Sequence, residues 1–175
     1  MCDSELTIDK LKESLLSMEN DKSPGNDGLT KEFYEAFWDD ISQPLFLSLL
    51  KAKDKKKLSS SQRQAVIKLL EKKGRDKRYI KNWRPISLLN IDTKLLTKTL
   101  ASRLKLVLPK LIKSDQTAYV SNRFIGESSR LISDILEVTK GMNISGYLLA
   151  IDIEKAFDSM NHTFLFSVLK KFGLD

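Results

Sequence analysis

The chain has 175 residues, 41% hydrophobic and 30% charged, which fits a globular protein with a sizeable core and excludes a disordered one. Its net charge of +7 and pI near 9.4 point to a polyanionic partner, nucleic acid first, with ordinary surface lysine as the alternative. One cysteine excludes an internal disulfide framework, one histidine excludes a histidine-rich metal site, and no apolar run or leader-like start suggests a membrane span or secretion, so an intracellular protein is expected.

Leu11, Leu15 and Met18 recur at helical spacing and predict a short amphipathic helix from Thr7 to Glu19. The turn formers from Lys22 to Gly28 end it. Thr30 then caps a helix whose Phe33, Phe37 and Ile41 face inward, with Pro44 expected to kink or divide it. The run Lys51–Lys57 and the serines Ser59–Ser61 read as a solvated loop, with phosphate contact as the functional alternative.

Ala65–Leu70 is a strand candidate, Glu71–Arg78 a basic hairpin or loop, and Trp83–Leu89 a second extended segment. Asp92 is expected to cap a long helix to Leu108, stopped by Pro109, with Leu96, Leu100, Leu104 and Val107 buried. Lys94, Lys98 and Lys105 lie on another face of it, available to nucleic-acid phosphates or to solvent. A further helix spans Glu127–Lys140 with Leu131, Ile135 and Val138 inward. Gly141 and Gly146 bracket the turn into an apolar strand beginning at Tyr147, and Asn161 caps a last helix with Leu165, Val168, Leu169 and Phe172 inward.

The Tyr147 strand carries the sharpest chemical signal, because it ends on Asp152. A carboxylate at the end of a buried strand is costly unless a cation pairs with it. With Phe157 beside it, Asp152 has what a two-metal nucleotidyl-transfer site requires, a hard oxygen ligand next to a flat wall. The plain reading is an aspartate capping a turn, and Asp158 fits such a turn-shaping role.

Four segments, Ser23–Gly28, Leu69–Gly74, Asn82–Asn90 and Ala150–Asp158, together resemble the reverse transcriptases of non-LTR, long-interspersed-element-type retrotransposons. The resemblance runs from about Leu11 to the last residue. It implies an α+β chain, helix-rich with a small incomplete sheet, that builds right-hand polymerase fingers plus a partial palm. Residues 1–60 would be an N-terminal helical extension, 61–146 the fingers-like region and 147–175 the start of the palm. The implied partners are an RNA template, a DNA primer and deoxynucleoside triphosphates, with Mg2+ as cofactor and no membrane.

The resemblance also assigns roles. Asp152 becomes a catalytic metal ligand, and Ile153 adds its backbone carbonyl to the metal. Lys72, with Lys73 as the neighbouring candidate, and Arg84 would grip the triphosphate, and Phe157 would be the aromatic gate under the sugar. Gln116, Arg123 and the Ser23–Gly28 turn would lie near template or nucleotide. The chain departs from the family at Glu71, where proline is frequent, and at Ala118-Tyr119, where Gly-Phe is frequent. The family's later paired aspartates do not occur before Asp175, so a chain inactive by itself is expected, self-associating through the open palm sheet. The alternatives are a non-catalytic basic nucleic-acid-binding protein or a degenerate remnant.

Overall fold

The computed structural model describes residues 5–174. It is built of helices and one small antiparallel sheet, an α+β composition as expected. Two compact units divide it, 5–102 and 103–174. No helix among the described residues is long and apolar enough to cross a membrane.

Within 5–102, Thr7 caps α1 (Ile8–Leu16), its hydroxyl accepting from the Lys10 backbone N–H at 3.3 Å. The Leu11, Ser14 and Leu15 face is buried. Next come α2 (Lys31–Ala36) and α3 (Trp38–Asp54). The division between them falls at Phe37, not at Pro44, which sits inside α3. The helix starts after Thr30 as expected, and only the place of the division is corrected. Phe37 leaves helical geometry at ψ 21°, whereas α3 runs unbroken through Pro44 in its second turn, although that residue lacks a backbone donor. The helix also continues through Lys51 and Lys53 to Asp54, so only the end of the lysine run is loop.

β1 (Ala65–Glu71) and β2 (Trp83–Leu89) pair antiparallel, from Ala65 opposite Leu89 to Glu71 opposite Trp83. Large side chains on both faces of this ribbon are exposed, including Ile67, Leu69, Leu70 and Ile86. A bare two-stranded ribbon is marginal in water. Its connecting loop supplies bracing: the Trp83 indole N–H donates to the Lys77 carbonyl at 2.9 Å, and the Asn82 side-chain amide to the Asp76 carbonyl at 2.8 Å.

The core joins α1, α2, α3 and the start of α4 (Ile91–Leu111): Leu11, Leu15, Tyr34, Trp38, Leu49, Ile91 and Leu95. The buried stripe of α4 is Ile91, Leu95 and Thr99, so the expected stripe through Leu96 and Leu100 is rotated; Leu96 is only partly buried and Leu100 is exposed. Thr99 explains the shift. Its hydroxyl donates to the Leu95 carbonyl at 2.8 Å and sits 2.7 Å from the Ser14 hydroxyl on α1, so a polar residue lies in the core with its hydrogen bonds met. An apolar-periodicity reading passes over it. Pro109 likewise lies inside α4 and does not stop it.

The unit 103–174 holds the end of α4, α5 (Gly126–Gly141) and α6 (His162–Lys171). Neither α5 nor α6 has a buried residue. Leu131, Ile135 and Val138, expected inward, are exposed, as are Leu165 and Phe172, while Val168 and Leu169 are half-buried. Asn161 caps α6 as expected, accepting from the Phe164 N–H at 2.9 Å.

The expected strand from Tyr147 to Asp152 is not formed. Both strands of the sheet, β1 and β2, pair with each other, and residues 144–153 join no ladder. Leu149 and Ile151 are each 79% exposed. A strand is completed by hydrogen bonds to a neighbour, and apolar sequence alone cannot supply them.

Candidate nucleotide and nucleic-acid site

The β1–β2 ribbon sets its cations by register. Residues directly opposite each other in an antiparallel pair point to the same face, and side chains alternate along each strand. Leu70 lies opposite Arg84, Lys68 opposite Ile86 and Val66 opposite Leu88. Lys68 and Arg84 therefore share one face. Beyond the last ladder pair, Glu71 opposite Trp83, the Lys72 N–H donates to the Asn82 carbonyl at 2.9 Å. Lys73 belongs to the turn beyond the ladder.

Arg84 is exposed, and the Lys72 ammonium donates to the Lys81 carbonyl at 2.8 Å across the hairpin mouth. Arg78 grips Asp76 with Nε at 3.1 Å and Nη2 at 2.7 Å, which holds the Asp76 carboxyl below its ordinary range. Lys77 pairs with Glu71, and Lys81 lies 5.5 Å from the Tyr79 ring centre. The departure at Glu71 is thus accommodated. Glu71 keeps its place in the ladder opposite Trp83 and anchors the basic loop through Lys77.

The Ser23–Gly28 turn is tied to the other end of the ribbon. An added Cβ on Gly25 would lie 2.1 Å from the Asn90 side-chain oxygen and 2.6 Å from the Leu89 carbonyl carbon. Asn90, buried, accepts from the Asp27 N–H at 3.4 Å and donates to the Ser61 carbonyl at 3.3 Å. Thr93 adds a bond from its hydroxyl to the Gln62 carbonyl at 2.9 Å. Asn90, Gln62 and Thr93 form a buried polar node that periodicity does not reveal. The only sequence signal for it is the recurrence of polar residues at a strand-to-helix junction.

Of the α4 lysines, Lys98 donates to the Ser17 carbonyl at 2.8 Å, at the C-terminal end of α1, where a cation complements exposed carbonyls. Lys94 and Lys98 line a cleft of about 650 Å3 with Lys22, Lys31 and Glu19. Lys22 pairs with Glu19 at 2.9 Å and Lys31 with Glu35 at 3.0 Å. Lys105 is exposed in the unit 103–174.

Arg123 is engaged with backbone. Its Nη1 donates to the carbonyls of Lys113 and Gln116, the latter at 2.7 Å, and its Nη2 to those of Pro109 and Ile112 at 3.1 and 2.7 Å. It therefore closes the C-terminal end of α4. Gln116 donates to the Ala118 carbonyl at 3.2 Å. Tyr119 stands at φ 61° and Asn122 at φ 63°, so this loop places side chains in backbone conformations that suit glycine.

Asp152, Ile153 and Asp158 are exposed, and Phe157 is 96% exposed on the turn at 154–159. Among the described residues no group of three or more His, Cys, Asp or Glu side chains is placed to hold a metal. Mg2+ needs several oxygen ligands in near-octahedral array. One carboxylate does not fit that requirement, so no chemistry through a metal follows from these residues alone.

The chain belongs to the reverse transcriptase (RNA-dependent DNA polymerase) family, whose family model matches residues 70–175. It is also 42% identical over 168 residues to the "Transposon TX1 uncharacterized 149 kDa protein" of Xenopus laevis, an alignment covering 96% of this chain and 13% of that protein.

Proposed function

We propose that this chain is the nucleotide-gripping portion of an RNA-directed DNA polymerase of a non-LTR retrotransposon. Residues 1–60 serve as the N-terminal extension, 61–146 as fingers and 147–175 as the first part of the palm. The observation that supports the reading is the exposed Arg84 on the β1–β2 ribbon, with Lys68 on the same face and Lys72 just past the end of the ladder. A guanidinium takes two phosphate oxygens in parallel, and an ammonium nearby adds a point charge. Arg84 is exposed and open to a triphosphate, and the Lys72 ammonium would exchange its bond to the Lys81 carbonyl for a phosphate oxygen.

Asp152 contributes one carboxylate towards a divalent metal, with the Ile153 carbonyl beside it, and Phe157 supplies the ring that excludes a ribose 2′-hydroxyl. Further acidic ligands have to come from outside the described residues. RNA template and DNA primer contact Lys94 and Lys98 in the unit 5–102, and Lys105 and Gln116 in the unit 103–174. Arg123 acts on this contact indirectly, by fixing the loop that carries Gln116.

The test is binding of a fluorescent deoxynucleoside triphosphate, followed by anisotropy. Arg84→Ala is expected to weaken binding about tenfold, as loss of a charge-assisted bidentate contact. Lys72→Ala should weaken it less, and Lys73→Ala hardly at all. Equal effects of Lys72→Ala and Lys73→Ala, or none from Arg84→Ala, would overturn the assignment.

A further inference from the structure

The lysine run that follows Leu50 has no part in the ribbon. It lies before residue 70, where the family match begins, and its function stands or falls separately from the triphosphate face.

Its local structure is specific. Past its C-cap at Lys55, α3 closes with paired hydrogen bonds, Lys56 N–H to the Lys53 carbonyl and Lys57 N–H to the Ala52 carbonyl, each at 3.0 Å. This is the Schellman pattern, which turns the chain back over the last helical turn. Lys56 occupies the left-handed position at φ 49°, where glycine would fit without strain. Lys57 is thereby folded back beside Lys51 and Lys55.

The opposite wall is fixed as well. The Ser59 N–H donates to the Gln62 side-chain oxygen at 3.1 Å, and the Gln62 N–H to the Ser59 hydroxyl at 3.3 Å. That reciprocal pair is a capping box, and Gln62 is buried and tied to Thr93 on α4. Between the walls lies a cleft of about 550 Å3, lined by Ser48, Lys51, Lys55, Lys57, Ser59 and Gln62 among others, with no acidic residue in its lining.

Among the described residues, Lys51, Lys55 and Lys57 make no ion pair. The α4 cleft differs, since its Lys22 and Lys31 already have carboxylate partners. Like charges held together repel, and an anion between them relieves the repulsion. Ammonium and hydroxyl donors around a cleft suit the oxygens of a phosphodiester. The lining has no aromatic ring on which a base could stack, and Leu58 is its one large apolar side chain.

We propose that the Lys51–Lys55–Lys57 cleft binds the nucleic-acid phosphodiester backbone without sequence preference. It is a second contact site, apart from the triphosphate face. Phosphate contacts of this kind set the position of a strand and carry no sequence information.

The test uses the full chain and a labelled single strand of RNA, with anisotropy measured across a salt series. Lys51→Glu/Lys55→Glu/Lys57→Glu is expected to weaken binding at least tenfold. It should also reduce the slope of log affinity against log salt by about 2, from about 0.7 for each phosphate neutralised on a single strand. The charge-matched variant Lys12→Glu/Lys110→Glu/Lys170→Glu should do neither, and Lys51→Arg/Lys55→Arg/Lys57→Arg should bind like the parent. Thermal melts of all variants separate lost binding from lost folding. Replacing the RNA by duplex DNA and by inorganic phosphate identifies the source of the anion. Loss of either nucleic acid on Lys→Glu substitution alone supports the proposal. Equal loss in the charge-matched variant, no loss in the cleft variant, or binding of inorganic phosphate or an acidic peptide only would overturn it.

Discussion

An added Cβ on Gly25 would fall 2.1 Å from the Asn90 side-chain oxygen and 2.4 Å from the Asn90 backbone nitrogen, so two sequence motifs far apart in the chain meet backbone to backbone. Gly25→Ala is expected to cost about 2 kcal/mol, since a methyl in that space forces backbone movement. Trimming Asn90 to alanine in the same chain should not rescue it, because the backbone atoms of Leu89 and Asn90 remain. Gly28 has open space around its Cβ position but φ of 73°, so Gly28→Ala should cost less, about 1 kcal/mol from backbone strain. Urea midpoints measure all three. A parent-like midpoint for Gly25→Ala would contradict the close approach.

Tyr34 gives a pH signature. Burial in the α1–α4 core, reinforced by the charges of Asp92 and Asp27, pushes its phenol up to about 12. Because the folded state favours the neutral phenol, its contribution is complete below about pH 10, the unfolded value, and is lost as pH rises towards 12. The difference in unfolding free energy between the parent and Tyr34→Phe should be constant through neutral pH. It should then shift by about 2 kcal/mol towards the variant across that alkaline window. A flat difference up to pH 12 would show that the phenol ionises in the fold without penalty.

Arg123 should be a stability residue of the unit 103–174. Its four carbonyl acceptors lose their donor together in Arg123→Ala, for an expected loss of about 2 kcal/mol. Lys cannot reproduce a planar fork with two terminal nitrogens, so Arg123→Lys should recover little. Amide exchange at the end of α4 and in the 112–123 loop would report the loosening. Unchanged protection in both variants would leave Arg123 free for template.

Primer extension on an RNA template with Mg2+ should give no product from this chain, because no three His, Cys, Asp or Glu side chains among the described residues are grouped to hold a metal. Asp152→Ala should be equally silent. Product that depends on Asp152 would mean that the missing ligands are assembled in some other way, for instance between copies of the chain.

The exposed apolar run from Tyr147 to Ile153 should make the chain self-associate, as unpaired strand-forming sequence does. Light scattering across concentration checks this. Asp or Lys in place of Leu149 and Ile151 should reduce association without altering the melting of the unit 5–102.

The elements that proved legible are those whose stabilisation is local. Thr7 and Asn161 cap their helices through their own side chains, and β1 and β2 are joined by a short basic loop that closes on itself. Sequence alone therefore determined the helices, the ribbon and the motif set that marks the polymerase family. Tertiary structure decided what depends on a distant partner. It bonded Lys72 to the Lys81 carbonyl and Arg123 to carbonyls at the end of α4, and it let Thr99 replace a leucine in the core by bonding to Ser14. It also left the Tyr147 segment without a sheet. Capping and turn formation need only neighbours in sequence, whereas burial and strand pairing need a second surface, which a local pattern cannot specify.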